Sequence, residues 1–394
     1  MTQRIVIVGA SLGGLRAAEA LRAQHFAGEI VVIGDEVHAP YNRPPLSKEV
    51  LADQVSHEAV AFRQRASVSD VIWHLGDAAQ SLSGTTVTTQ SGTRFDADGV
   101  VIATGIRPRT IPLAGAASRR MTLRTLDDAV ALRKRLQPGA KVLVVGAGFI
   151  GCEVAATATT LGCQVSVVAV DEEPMIRPLA VSFGAALRQR HEARGVTFHL
   201  GAGIQAIDET PEGAAATLDD GTQLEASVIV EAIGSIPNVE WLEGQGFDLT
   251  DGVLCDNDMR VIGGEHVVAV GDVARFPNPL FDDAPRRIEH WNIPTDTARR
   301  AVTTLLGDLG LGEGSKESFT PMPAFWSDQF DLRLQAFGLP GLAGNEPSDV
   351  TIECGDLSGD VVVAYRNHGR LVGIVGIGFN KELQALRAEI GMAR

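Results

Sequence analysis

An α/β fold, with one Rossmann-like dinucleotide-binding domain nested inside another, is predicted by three observations. The stretch RIVIVGASLGGLRAAEA (Arg4–Ala20) sets a β-branched run before a glycine turn and a small-residue helix start. KVLVVGAGFIGCEVAA (Lys141–Ala156) repeats that design. Three further apolar stretches, DGVVIATGIRPR (Asp98–Arg109), ASVIVEAIGSIPN (Ala226–Asn238) and HVVAVGDVARF (His266–Phe276), complete the series. The order along the chain is turn, closing strand, turn, closing strand, Gly-Asp, which reads as one nucleotide domain interrupted by a second.

In a βαβ unit of this kind the first glycine makes the tight turn, and the second lets the backbone approach a pyrophosphate. The third lets helix and strand pack closely. The phosphates then face unpaired N–H groups at the helix N-terminus, where the helix dipole favours negative charge. The first copy predicts a strand at Arg4–Val8, a helix from Leu12 to about Gln24, and a cradle made by Gly9, Ser11, Gly13 and Gly14. Ser11 stands where the middle glycine is usual, so close approach is relaxed rather than blocked. The strand Glu29–Ile33 ends in Gly34-Asp35-Glu36, and Asp35, with Glu36 second, is the acid placed to accept ribose hydroxyls.

The second copy predicts the strand Lys141–Val145, the triplet Gly146, Gly148 and Gly151, and a helix Glu153–Leu161. Its next strand, Gln164–Val168, runs into Ala169-Val170-Asp171, so the usual acid position holds alanine. That weakens the signature for NADH. It makes no case for NADPH either, because Asp171, Glu172 and Glu173 would repel a 2′-phosphate.

Composition excludes several classes. With 49 acidic against 34 basic residues the net charge is −15, the opposite of a nucleic-acid binder. No window approaches the roughly 18–20 apolar residues of a membrane span, and a strand starting at Arg4 leaves no room for a signal peptide. The cysteines Cys152, Cys163, Cys255 and Cys354 form no CxxC and no zinc-ligand spacing, so neither a metal site nor a redox dithiol is expected. A cytoplasmic protein is the reading that follows.

Three more stretches make a family resemblance specific: PYNRPPLSKEVL (Pro40–Leu51), RIEHWNIP (Arg287–Pro294) and FWSDQFDLRLQAFG (Phe325–Gly338). Together with the two turns, Ala103-Thr104-Gly105 and Gly271-Asp272, they resemble the two-dinucleotide flavoproteins related to glutathione reductase. The match is to the branch of FAD-dependent ferredoxin reductases that serve bacterial dioxygenases and haem monooxygenases. The resemblance implies FAD in an outer domain (about 1–110 and 240–315), a nicotinamide cofactor in an inner one (about 111–239), and a C-terminal α/β domain (about 316–394). Hydride would pass from NADH, with NADPH as the less favoured alternative, to FAD. Single electrons would then go to an iron–sulfur ferredoxin, [2Fe–2S] in type, with rubredoxin as the alternative carrier. Neither nucleic acid nor membrane is implied, and the protein would be a monomer or homodimer.

The same resemblance distributes roles. Ala103, Thr104 and Gly105 would border the flavin, Asp272 would accept from its ribityl chain, and Arg124 would approach it unless it is only a hinge residue. Gly146, Gly148, Ile150, Gly151 and Gly234 would border the nicotinamide cofactor. Lys48, on a helix start that Pro44 and Pro45 delay, would pair with Glu153 beside the flavin N5 and act in hydride transfer. Trp291 and Trp326 would flank the isoalloxazine and face the redox partner, unless they are core residues. His290 lies in the same EHWN motif and reads as structural. The disulfide branch needs a cysteine in the stretch before the flavin; PYNRPPLSK has none, and Cys152 reads as a small buried helix residue. Two rival readings stay open: an NAD(P)H oxidase or diaphorase, and a redox-sensing flavoprotein resembling apoptosis-inducing factor. The segment from Arg366, with Arg366, Arg370, Lys381, Arg387 and Arg394 against Glu382 and Glu389, is the expected basic docking rim for an acidic ferredoxin.

Overall fold

The computed structural model describes residues 3–53, 56–344 and 346–392. The chain separates into two compact units. One comprises Met1–Asn42, His57–Arg107 and Ile236–Pro323, and the other Arg43–Ser56, Pro108–Ser235 and Ala324–Arg394.

The first unit is built on a parallel sheet in the order Val267–Ala269, Gly99–Ile102, Arg4–Val8, Glu29–Gly34, Ile72–Leu75. Its central strand is apolar at every position because both faces of the sheet are withdrawn from water; Ile5, Val6, Ile7 and Val8 are all buried. The helix Leu12–Ala23 follows the central strand directly and packs against the helix Ile293–Asp308. Strand Arg4–Val8 has a neighbour on each side, reached by crossovers in opposite directions. Its carboxyl end is therefore the switch point where α/β sheets open a ligand crevice.

The second unit repeats that design. Its parallel sheet runs Thr197–Leu200, Gln164–Ala169, Lys141–Val145, Val228–Glu231, Arg120–Met121, with Lys141–Val145 at the switch point. A three-stranded antiparallel sheet, Ile204–Thr210, Gly213–Leu218 and Gln223–Ala226, closes one side around Ile207, Ala216, Leu218 and Ile229. The C-terminal portion is a five-stranded antiparallel sheet in the order Ala324–Gln329, Leu332–Gly338, Arg370–Ile377, Val361–Asn367, Val350–Gly355. The helix Asn380–Met392 lies on that sheet and sets Leu383 against Gly376.

Two local expectations are corrected. The helix after the second glycine turn spans Phe149–Thr160, a full turn earlier than Glu153. Gly148 is its N-cap, so Gly151 and Glu153 fall inside the helix. Pro44 and Pro45 do not delay helical structure: they open a 3-10 turn at Pro44–Ser47, where the missing N–H groups cost nothing. The short helix Glu49–Ala52 follows, with Lys48 as its N-cap.

Candidate functional site

In the first unit the glycine turn is bent as a pyrophosphate cradle requires. Gly9 has φ +123°, and a Cβ there would lie 2.0 Å from the Ala103 carbonyl oxygen, so only glycine fits. The turn is fixed by the Gly9 N–H donating to Ile33 O at 2.8 Å and the Ala103 N–H donating to Val8 O at 2.7 Å. Ser11 caps the helix through its backbone, and its side chain does not close the first turn. Gly13 packs near Val270, with Gly14 behind it against the carbonyl of Gly9. At the end of the next strand, the Asp35 carboxylate accepts from the Glu36 N–H at 3.0 Å, while Glu36 accepts from the Tyr41 hydroxyl at 2.5 Å.

The two later motifs of this unit are also pinned. Thr104 Oγ1 donates to Asn238 O at 2.7 Å and Asn238 Nδ2 returns a bond to Thr104 O at 2.9 Å, which holds the turn through Gly105. The Gly271 N–H donates at 3.0 Å to the hydroxyl of buried Thr297, placing half-buried Asp272 at the strand end. Thr297 escaped the sequence reading, since nothing in IPTDTARRA marks it. His290 is desolvated, which draws its pKa down to about 4. Trp291 is 40% exposed and donates from Nε1 to Asn42 Oδ1 at 3.1 Å.

In the second unit Gly146 has φ +105° and stands against the Ala232 carbonyl, as Gly9 does against Ala103. Gly148, by contrast, has nothing within 4 Å of where a Cβ would sit. The helix therefore begins at an open, side-chain-free cap, with Ile150 exposed beside it and Gly151 packed on the Gly146 carbonyl. Gly234 has φ +104° and likewise faces open space. Ala169 is buried at the end of its strand, and beyond it Glu173 is held by Arg188 at 2.9 Å while Asp171 lies 3.7 Å from Arg177.

A buried polar cluster of this unit is built on Glu153. The Lys48 ammonium donates to Glu153 Oε2 at 2.7 Å and to Pro44 O at 3.0 Å. The Ser47 hydroxyl donates to the same Oε2, and the Ser327 hydroxyl donates to Oε1 at 2.7 Å. Both charged side chains are withdrawn from water, Lys48 to 12% and Glu153 to 6% exposure. An ion pair this dry is tolerable only where further hydrogen bonds satisfy the carboxylate, and both hydroxyls do so. The sequence reading missed both serines. Ser47 stands beside Lys48 in the motif, and Ser327 follows Trp326 by one place, which puts it on the opposite face of its strand.

The other expected residues of this unit are separately held. Arg124 precedes a helix capped by Thr125 and Asp128, and its carbonyl accepts from Arg43 at 2.8 Å. Trp326 is half-buried. Cys152 is fully buried, and desolvation, aided by the charge of Glu153, pushes its thiol up to about 12. Among the described residues all four cysteines are free. Lys381 and Arg387 of the expected basic rim are exposed. Arg366 is bound to Glu353 at 2.9 Å, Arg387 lies 4.4 Å over the Phe337 ring, and Arg394 lies outside the described residues.

Two switch-point cradles in one chain, each opened by a glycine that admits no side chain and leading to a helix start without a side-chain cap, fit two pyrophosphates. They define a nicotinamide- and flavin-type oxidoreductase. The chain belongs to the pyridine nucleotide-disulphide oxidoreductase family, which residues 3–298 match, and residues 324–393 match the reductase C-terminal family. It is 34% identical over 397 residues to the ferredoxin–NAD(+) reductase component of an anthranilate 1,2-dioxygenase system from Burkholderia cepacia, covering 97% of this chain and 92% of that one. It is 32% identical over 352 residues to putidaredoxin reductase of Pseudomonas putida, covering 85% and 80%. The crystal structure of the covalent putidaredoxin reductase–putidaredoxin complex matches with a TM-score of 0.90 at 28% identity, covering 99% of this chain and 93% of that one. The ferredoxin reductase for the CYP199A2 system of Rhodopseudomonas palustris matches with a TM-score of 0.88 at 31% identity, covering 96% and 92%. The expected resemblance and fold class are thus borne out.

Proposed function

We infer that this chain is a ferredoxin reductase that draws electrons from NADH through FAD and delivers them to an iron–sulfur ferredoxin serving an oxygenase. The observation that carries the reading is the presence of two dinucleotide cradles in one chain whose cysteines offer no redox pair. The relatives, ferredoxin reductase components of dioxygenase systems, support it. FAD, when bound, supplies the change from two-electron to one-electron transfer.

The roles of individual residues belong to the same proposal. Gly9, Ser11, Gly13 and Gly14 would hold the FAD pyrophosphate, and Asp35 or Glu36 its ribose. Ala103, Thr104, Gly105, Asp272, His290, Trp291, Arg124 and Trp326 would complete the flavin surroundings. Gly146, Gly148, Ile150, Gly151 and Gly234 would receive NADH. Lys48, oriented by Glu153, would present a fixed cation to the redox centre. Cytoplasmic operation is supported by the free thiols, which suit a reducing compartment. Among the described residues no helix is long and apolar enough to cross a membrane.

Anaerobic stopped-flow mixing tests the reading. NADH should bleach the flavin rapidly, and mixing the bleached protein with an oxidised [2Fe–2S] ferredoxin should transfer electrons faster than air reoxidises it. Rapid bleaching with no delivery to any iron–sulfur carrier would move the assignment to an oxidase.

A further inference from the structure

The carboxylate of Glu153 stands at the end of a buried hydrogen-bonded series that neither the motifs nor the family match accounts for. Ser327 Oγ donates to Glu153 Oε1 at 2.7 Å, Gln329 Nε2 donates to Ser327 Oγ at 2.9 Å, and His191 Nε2 lies 2.8 Å from Gln329 Oε1. Ser327 is 0% exposed, Gln329 1% and His191 1%.

The series has one possible polarity. A carboxylate can only accept, so the single Ser327 hydrogen goes to Glu153 and the serine oxygen must accept from Gln329. That turns the Gln329 amide so that its oxygen faces His191, which must then carry its hydrogen on Nε2. His191 Nδ1 is buried with no hydrogen-bond acceptor facing it, which suits an unprotonated nitrogen, and burial holds the imidazole pKa below its usual value. A side-chain amide does not pass protons along, so the series orients groups rather than conducting them.

The strand Ala324–Gln329 supplies its anchoring by alternation. Phe325, Ser327 and Gln329 share one face, where the Phe325 ring meets Phe149 at 4.8 Å edge-on, Ser327 meets Glu153, and Gln329 meets His191 on the helix Ile176–Glu192. Phe149 and Glu153 are one turn apart on the helix that opens at Gly148. Trp326 is on the opposite face.

We propose that Ser327, itself fixed by Gln329, is a positioning residue that sets the rotamer of Glu153 and thereby the seat of the Lys48 ammonium. This rests on the reading of Lys48 and Glu153 as part of the redox site.

The test reads Lys48 directly. The flavin-loaded protein is exposed to a limiting amine-acylating reagent, and the extent of Lys48 labelling is measured by mass spectrometry against Lys381, which is exposed. Without its hydroxyl partner the carboxylate can turn away, so Ser327→Ala should raise relative Lys48 labelling roughly three- to tenfold, the net worth of one typical intramolecular hydrogen bond. Ser327→Thr, which keeps the hydroxyl, should restore the wild-type ratio. Gln329→Met keeps the packing and leaves Ser327 in place; it should raise labelling by a smaller factor, and it covers the case in which the alanine variant does not fold. Unchanged Lys48 labelling in folded Ser327→Ala or Gln329→Met protein would overturn the proposal. Raised labelling with unchanged flavin bleaching by NADH would uphold the positioning role and refute the redox reading of the pair.

Discussion

Replacing Glu153 by glutamine removes one charge and leaves the shape, so it isolates what the ion pair contributes. Lys48 would remain at 12% exposure with Pro44 O as an acceptor and the amide oxygen as a neutral one. Breaking a buried pair by removing one partner costs about 3–5 kcal/mol. The retained acceptors and the residual exposure of Lys48 reduce this to about 2–3 kcal/mol, with the two serine hydroxyls now facing an amide that can accept at only one oxygen. For a unit of about two hundred residues, each kcal/mol lowers Tm by roughly 2–4 °C, so a fall of about 4–12 °C is expected in a thermal melt. Lys48→Met alone should cost a similar amount, because it strands the carboxylate. The double variant should cost less than the sum of the two by about 1.5 kcal/mol or more, since no charge is then left unpaired. Additivity to within about 0.5 kcal/mol would refute the coupling. So would a Glu153→Gln protein that melts with the wild type.

The two cradles should separate in their response to alanine. Gly148→Ala adds a methyl to open space at φ −81°, so Tm should stay within about 2 °C while the KM for NADH rises roughly tenfold through lost pyrophosphate contact, with flavin content unchanged. Gly9→Ala forces a clash at 2.0 Å, and the purified protein should lose its yellow colour on gel filtration. Thiol titration in the native state should modify Cys354 first, because it is half-exposed; Cys152 should stay unreactive at pH 8, where a thiol held near 12 has almost no thiolate. His290 gives an acid limb. Its folded pKa of about 4 lies below the unfolded value, so the unfolded chain takes up the proton first and stability falls as pH drops from about 6.5 to 4. Urea melts across that window should show a smaller loss for His290→Gln, by roughly 2–3 kcal/mol at pH 4.

What the sequence disclosed and what it hid divide along a physical line. The strands Arg4–Val8 and Lys141–Val145 were legible because a strand covered on both faces must be apolar at every position, and the turns because no residue but glycine takes up their backbone. Lys48 and Glu153 could be paired only through the resemblance. They stand far apart in the chain, and no local pattern of charge links them. The helix start at Phe149 was misplaced because a glycine cap carries no side-chain signal, unlike the Thr125–Asp128 box, where both caps are written in residue type. Ser47, Ser327, Gln329 and His191 were invisible for a different reason. Serine and glutamine in a strand are ordinary surface residues until a buried carboxylate makes each lone pair and each hydrogen count. Only alternation could have marked two of them: in FWSDQF the polar residues Ser327 and Gln329 sit at the same parity as Phe325, whose ring meets Phe149 of the helix Phe149–Thr160. Polar residues at apolar parity in a buried strand are costly unless paired, so their presence there points to a polar group waiting on the facing helix. Glu153, on the buried side of that helix, is that group.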